Sequence, residues 1–212
     1  MAIFVPFRPY GDRDVVAAFR RLVQELALPD VAVLVVDAVS EHVDTHDIGG
    51  RSQEEIRRVV LFAHPQSENL GFSVNPRFNG GSAVLLTRWW ARRNSTYETL
   101  VAHVCRGAEV LRRRPWREIF PSWVSYSGPI RAFVGSGRAE DRWKGFLSRL
   151  FTAVARRRTP AAIKEELISA CHHVLAEIRD NYDAAGGDAL NLMYVQECMD
   201  RLVCSSDVAE TS

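Results

Sequence analysis

The sequence predicts one α/β domain over residues 1–204: a three-layer sandwich in which a mostly parallel sheet carries helices on both faces. Three observations predict it. Short apolar runs recur along the chain, too short for typical helices, and read as strands buried on both sides, as in a parallel sheet. Segments with helical spacing of apolar residues alternate with them, the pattern of strand–helix–strand units. No repeat, linker or composition break divides the 212 residues, which are enough for one large core.

"AIFVPF" near the start is a strand by its β-branched and aromatic content. Asp12 caps the helix after it, with Val15, Val16, Phe19, Leu22, Val23 and Leu26 at helical spacing and Pro29–Asp30 as the stop. "VAVLVVDAV" (31–39) is the second strand, and "VVLFAH" (59–64) the third, after a short helix over "SQEEIRR". The stretch 65–82 is rich in turn formers and reads as an irregular loop or small hairpin. "AVLLTRWWARR" leans to helix. "TLVAHVC" (99–105) is the fourth strand, 108–114 a helix, and "SWVSYSGPI" (122–130) the fifth strand.

Two clear helices follow. Trp143, Phe146, Leu147, Leu150, Phe151 and Val154 share one face. Thr159–Pro160 is a cap and first-turn pair, opening a helix with Ile163, Leu167, Ala170, Cys171, Val174, Leu175 and Ile178 on its apolar side. The segment 189–204 fits a strand or a helix. Residues 205–212 are expected to be a disordered tail.

Hydrophobic residues make up 47% and charged residues 25%, the balance of an ordinary globular protein. The net charge is +1, so no global field points to nucleic acid. Arginine carries nearly all the positive charge, in clusters at 88–93, 112–117 and 156–158 that fit solvated helix ends or, less well, an acidic partner. The first residues lack a leader's basic start and long apolar core. No run approaches the roughly 20 apolar residues that span a bilayer. Cys105, Cys171, Cys198 and Cys204 show no CxxC spacing, so free thiols in a cytoplasmic protein are expected, with no metal and no organic cofactor.

The candidate chemistry lies at strand ends, where such sheets build their sites. Cys105 ends the fourth strand, just before a helix, whose N-terminus favours thiolate. Gly107 lets the chain turn closely beneath it. His64 ends the third strand. If the two strands are parallel neighbours, imidazole and thiol emerge at one edge as a Cys–His dyad. Against this, a buried free cysteine is commonly inert and a strand-end histidine commonly structural. His103 points to the same face as Cys105, further back, and reads as a core histidine. Asp37 could orient a group at the same edge or cap a turn. No GxSxG, P-loop or GxGxxG occurs.

A strand ending in histidine, then a strand ending in cysteine with glycine two residues on, resembles the caspase-like cysteine peptidases, most of all their bacterial CHAT-type branch. "FPSWVSYSGPI" is similar to the family's next strand and turn, and "DRWKGFLSRLFTAVARRRTPAAIKEELISACHHVL" to its next two helices. The likeness covers roughly residues 59–178. It implies a caspase-like fold, Cys105 as nucleophile, His64 as acid/base, and a protein substrate, with activation by a partner. It also implies an oxyanion hole using the N–H of a glycine after the histidine. Here that residue is Pro65, which has no N–H. The alternative is a caspase-fold module that binds without cleaving, through the loop 66–82 and the Trp89–Trp90 pair. A plain α/β domain with another ligand at the strand ends is the third reading.

Overall fold

The computed structural model describes residues 2–7, 20–28, 32–37, 43–44, 56–62, 64–66, 71–73, 97–114, 116–130, 138–156 and 158–209. The strands are β1 (Ala2–Phe7), β2 (Ala32–Asp37), β3 (Val43–Asp44), β4 (Arg58–Phe62), β5 (His64–Gln66), β6 (Gly71–Ser73), β7 (Thr99–His103), β8 (Trp123–Tyr126) and β9 (Leu202–Cys204). The helices are α1 (described over 20–25), α2 (Gly107–Leu111), α3 (Trp116–Ile119), α4 (Arg138–Ala155), α5 (Pro160–Asp180), α6 (Asp188–Arg201) and α7 (Ser205–Ala209).

Seven strands make one sheet, ordered β3-β2-β1-β4-β7-β8-β9. The pairs β1–β2, β1–β4, β4–β7 and β7–β8 are parallel, and β3 and β9 run antiparallel at the two edges. The five parallel strands, counted along the chain, stand in the order 2-1-3-4-5. The expectation of an α/β chain with a mostly parallel sheet therefore holds. The apolar runs predicted it because a strand covered on both sides has no polar face to alternate with.

Alternate residues of the central strands face different neighbours, as the two-residue period requires. Val60, Val101, Val124 and Tyr126 join one hydrophobic cluster with Leu150, Phe151 and Val154 of α4, the buried face of α5, and Tyr194 and Cys198 of α6. Leu22 and Val23 of α1 belong to the same cluster. Ser125, between Val124 and Tyr126, turns instead to α2: a Cβ on Gly107 would stand 2.2 Å from its Oγ.

Polar clamps fix the helices to this frame. The Arg58 guanidinium donates to the Val154 carbonyl at 2.7 Å and to that of Ala155, satisfying the last turn of α4. Thr159 Oγ1 accepts from the Ala162 N–H at 3.2 Å, and Pro160 begins α5. Arg142 of α4 pairs with Asp188 of α6, both buried, and also donates to the Asn181 carbonyl at 3.1 Å. The other Asp188 oxygen accepts from the Asp183 N–H at 2.7 Å. One ion pair thus locks the α5–α6 turn against α4.

Several expectations need correction. The third strand stops at Phe62, and His64 opens a separate antiparallel hairpin, with His64 opposite Ser73. The fourth strand stops at His103, two residues before Cys105, because the chain bends at Val104. The helix after it spans Gly107–Leu111 rather than 108–114, and α3 was not anticipated. The segment 189–204 is both things, helix α6 and then edge strand β9. Residues 205–209 of the expected tail are helical, because the Asp207 carboxylate holds the Lys164 ammonium and the Cys204 N–H, each at 2.8 Å. The capping Asp12 and the segment 83–93 with Trp89–Trp90 lie outside the described residues, as do residues 52–55 of the short helix expected over 52–58; the described part of that stretch is not helical, since Arg58 already begins β4.

Candidate functional site

β4 and β7 are adjacent parallel strands with an unbroken register: Arg58 faces Thr99, and each pair advances together to Phe62 and His103. Two positions further on stand His64 and Cys105. Both lie just past the carboxyl ends of neighbouring strands, the edge where open α/β sheets bind ligands. β6 of the hairpin that His64 begins lies against α2, which starts two residues after Cys105. Asp37 ends β2, paired with Phe7 at the end of β1, on the same edge.

The Cys105 thiol is half-buried and has defined partners. Its Sγ accepts from the Ile130 N–H at 3.3 Å and donates to the Ile130 carbonyl at 3.2 Å. The next residue, Arg106, donates its N–H to the Gly128 carbonyl at 2.9 Å. The segment after β8 therefore braces the cysteine turn twice. Arg106 itself has φ 53° and ψ 22°, in the left-handed region that non-glycine residues avoid. Gly107 is required for a different reason than a turn: its close approach to Ser125 leaves no room for a side chain. Ser125 Oγ donates to the Ala102 carbonyl at 2.8 Å, so it is held in place. The five-residue α2 is too short to supply the dipole expected behind the thiol.

His103 is half-buried at the end of β7, at the margin of the core rather than inside it, and its surroundings were not legible in the sequence. Tyr126 Oη lies 3.0 Å from Nδ1 and Tyr194 Oη 3.0 Å from Nε2. Phe62, Trp143 and Phe146 enclose the ring, with centroids 5.4–6.0 Å away. Burial holds its pKa down at about 4, so the imidazole is neutral. Burial pushes the Cys198 thiol up to about 12. Burial likewise raises both tyrosines and Cys171 well above their ordinary values. These thiols are inert core groups. Tyr126 carried a faint sequence signal, since it shares the alternation of Val124; Tyr194 sat in the segment that fitted either strand or helix.

Among the remaining candidates, His172 and His173 lie exposed on α5, and His173 pairs with Glu177 at 3.3 Å. No cluster of three or more histidine, cysteine or acidic residues fit for a metal occurs among the described residues. No helix among them is long and apolar enough to cross a membrane. Two open clefts are lined by charged groups, one by Arg149, Arg156, Arg158 and Glu166, the other by Arg138, Asp141, Arg142 and Glu177. The first lies at the end of α4 that Arg58 of β4 clamps, and the second at its opposite end, next to Trp143, whose ring packs on His103. No family model and no curated protein sequence matches this chain.

Proposed function

We propose that this chain is a caspase-like, CHAT-type cysteine endopeptidase on a three-layer α/β frame, acting on a protein substrate in the cytoplasm without a cofactor. The observation that carries the reading is the unbroken parallel register of β4 with β7, which runs toward His64 on one strand and Cys105 on the other. The left-handed Arg106 beside the thiol supports it, because strained backbone concentrates at functional turns.

In this reading the Cys105 thiol leaves the Ile130 carbonyl and gives its proton to His64. The sulfur then bonds to the scissile carbonyl carbon, and the carbonyl electron pair moves to oxygen. Collapse breaks the C–N bond as the His64 imidazolium protonates the leaving amine. Water, its proton taken by His64, hydrolyses the thioester and frees the thiol. Pro65 cannot supply an oxyanion N–H, and losing one such donor typically costs about 10²–10³ in turnover. In the active reading either Gln66 or another group supplies that donor; Gln66 pairs with Gly71 in the hairpin and would have to release its N–H from that ladder.

Pro65 also favours the second reading, a caspase-fold module that binds and no longer cleaves. Alkylation by iodoacetamide from about pH 5.5 to 8.5, with mapping of the modified cysteine, separates the two. A peptidase shows selective modification of Cys105 below neutral pH, slowed at least about tenfold by His64→Ala. Slow alkylation of Cys105 that tracks an ordinary thiol and ignores His64→Ala rules out the peptidase and favours the binding module.

A further inference from the structure

The His103 imidazole is held at both nitrogens, with Tyr126 Oη 3.0 Å from Nδ1 and Tyr194 Oη 3.0 Å from Nε2. A neutral imidazole has one N–H and one lone pair, so one hydroxyl donates to the ring and the other accepts from it. In either tautomer both contacts are hydrogen bonds, and removing either hydroxyl takes a partner from one ring nitrogen.

The ring joins three elements that end at the cysteine turn. β7 carries His103 and reaches Cys105 two residues later. β8 carries Tyr126 and runs on to Gly128 and Ile130, whose main chains hold Arg106 and the Cys105 thiol. α6 carries Tyr194 and Cys198 and ends at Arg201, whose carbonyl accepts from the Ser127 N–H at 2.8 Å. The Arg201 side chain packs on Gly128, where a Cβ would meet its Cδ at 2.9 Å.

We infer that this imidazole ring, clamped between two hydroxyls, is a positioning device for Cys105, fixing β7, β8 and α6 so that the Ile130 main chain holds the thiol in one place. The inference rests on Cys105 being the reactive centre proposed above. Tyr194→Phe removes the hydroxyl at Nε2, a group that makes none of the hydrogen bonds between Cys105 and Ile130. His103→Gln keeps one donor and one acceptor and serves as the conservative variant.

The experiment is amide hydrogen exchange by NMR on the full chain, together with the iodoacetamide profile of Cys105. In Tyr194→Phe, exchange at Arg106 and Ile130 rises at least about tenfold over that of buried α5 amides, while His103→Gln stays within about threefold of the parent. The pH profile of Cys105 alkylation shifts in Tyr194→Phe and returns in His103→Gln. Exchange that rises equally in α5, or does not rise at Arg106 and Ile130, overturns the positioning role, because the ring then contributes only to general stability. The two proposals fail separately. Unselective Cys105 alkylation in the parent, with local exchange still responding to Tyr194→Phe, removes the peptidase and keeps the ring. Selective Cys105 alkylation with unchanged exchange does the reverse.

Discussion

A histidine that is neutral in the fold but free to titrate in the unfolded chain makes stability depend on pH. His103 has its pKa lowered from 6.5 to about 4 by burial. Above pH 6.5 neither state binds the proton, and stability is flat. As pH falls from 6.5 towards 4 the unfolded chain takes up a proton that the native ring refuses, so stability drops, by at most about 3 kcal/mol. Urea denaturation at several pH values checks it: the loss is present in the parent chain and absent in His103→Gln. An equal loss in both would show that the imidazole is not its source. At Gly107 the argument is steric. Gly107→Ala puts a methyl 2.2 Å from Ser125 Oγ and 3.3 Å from Val104 Cβ, and overpacking of this kind costs about 1–3 kcal/mol. Adding Ser125→Ala removes the nearest atom. Denaturation of the double variant should therefore show less loss than the two single losses summed.

Among the elements, the α5–α6 joint depends on one buried pair. Asp188→Ala strands the Arg142 guanidinium inside the protein, and such a break costs about 3–5 kcal/mol. Arg142→Leu with Asp188→Ala removes both charges and should regain most of that in a double-mutant cycle followed by denaturation. A double variant no more stable than Asp188→Ala alone would mean that the pair's hydrogen bonds to the turn, not its charges, hold the joint. This pair was not legible in the sequence, because its partners lie 46 residues apart. α5 was fully legible. The seven residues expected on its apolar side are the seven found buried, and Thr159 caps it. Periodicity and capping are local, so one helix records its own face and start. The change from α6 to β9 within 189–204 was hidden for the opposite reason. Only pairing with β8 makes Leu202–Cys204 a strand.

At the scale of the whole molecule, the sheet was legible where strands are buried on both sides, and the site was legible only as two strand ends. The contact of Cys105 with Ile130 spans 25 residues and uses main-chain atoms, which no side-chain pattern announces. The hairpin that takes His64 away from β4 is likewise a matter of pairing, His64 with Ser73. What the register does supply is a covalent test of the shared edge. Phe62 stands opposite His103 in adjacent parallel strands. Neighbouring strands lie about 4.8 Å apart, within the roughly 4.4–6.8 Å between Cα atoms that a disulfide spans. If the backbones keep that spacing for two more residues, His64→Cys sets a second thiol level with Cys105. Mild oxidation with oxidised glutathione should then join the two, read as the loss of two hydrogens and a cross-linked peptide by mass spectrometry. Cys171, Cys198 and Cys204 are buried and should stay reduced. Adding Cys105→Ser must abolish the cross-link. A His64→Cys chain that stays reduced while Cys105 remains open to alkylation would mean that the two chains part at the end of the sheet. The imidazole would then be too far from the sulfur to take its proton, and the peptidase reading would lose its base.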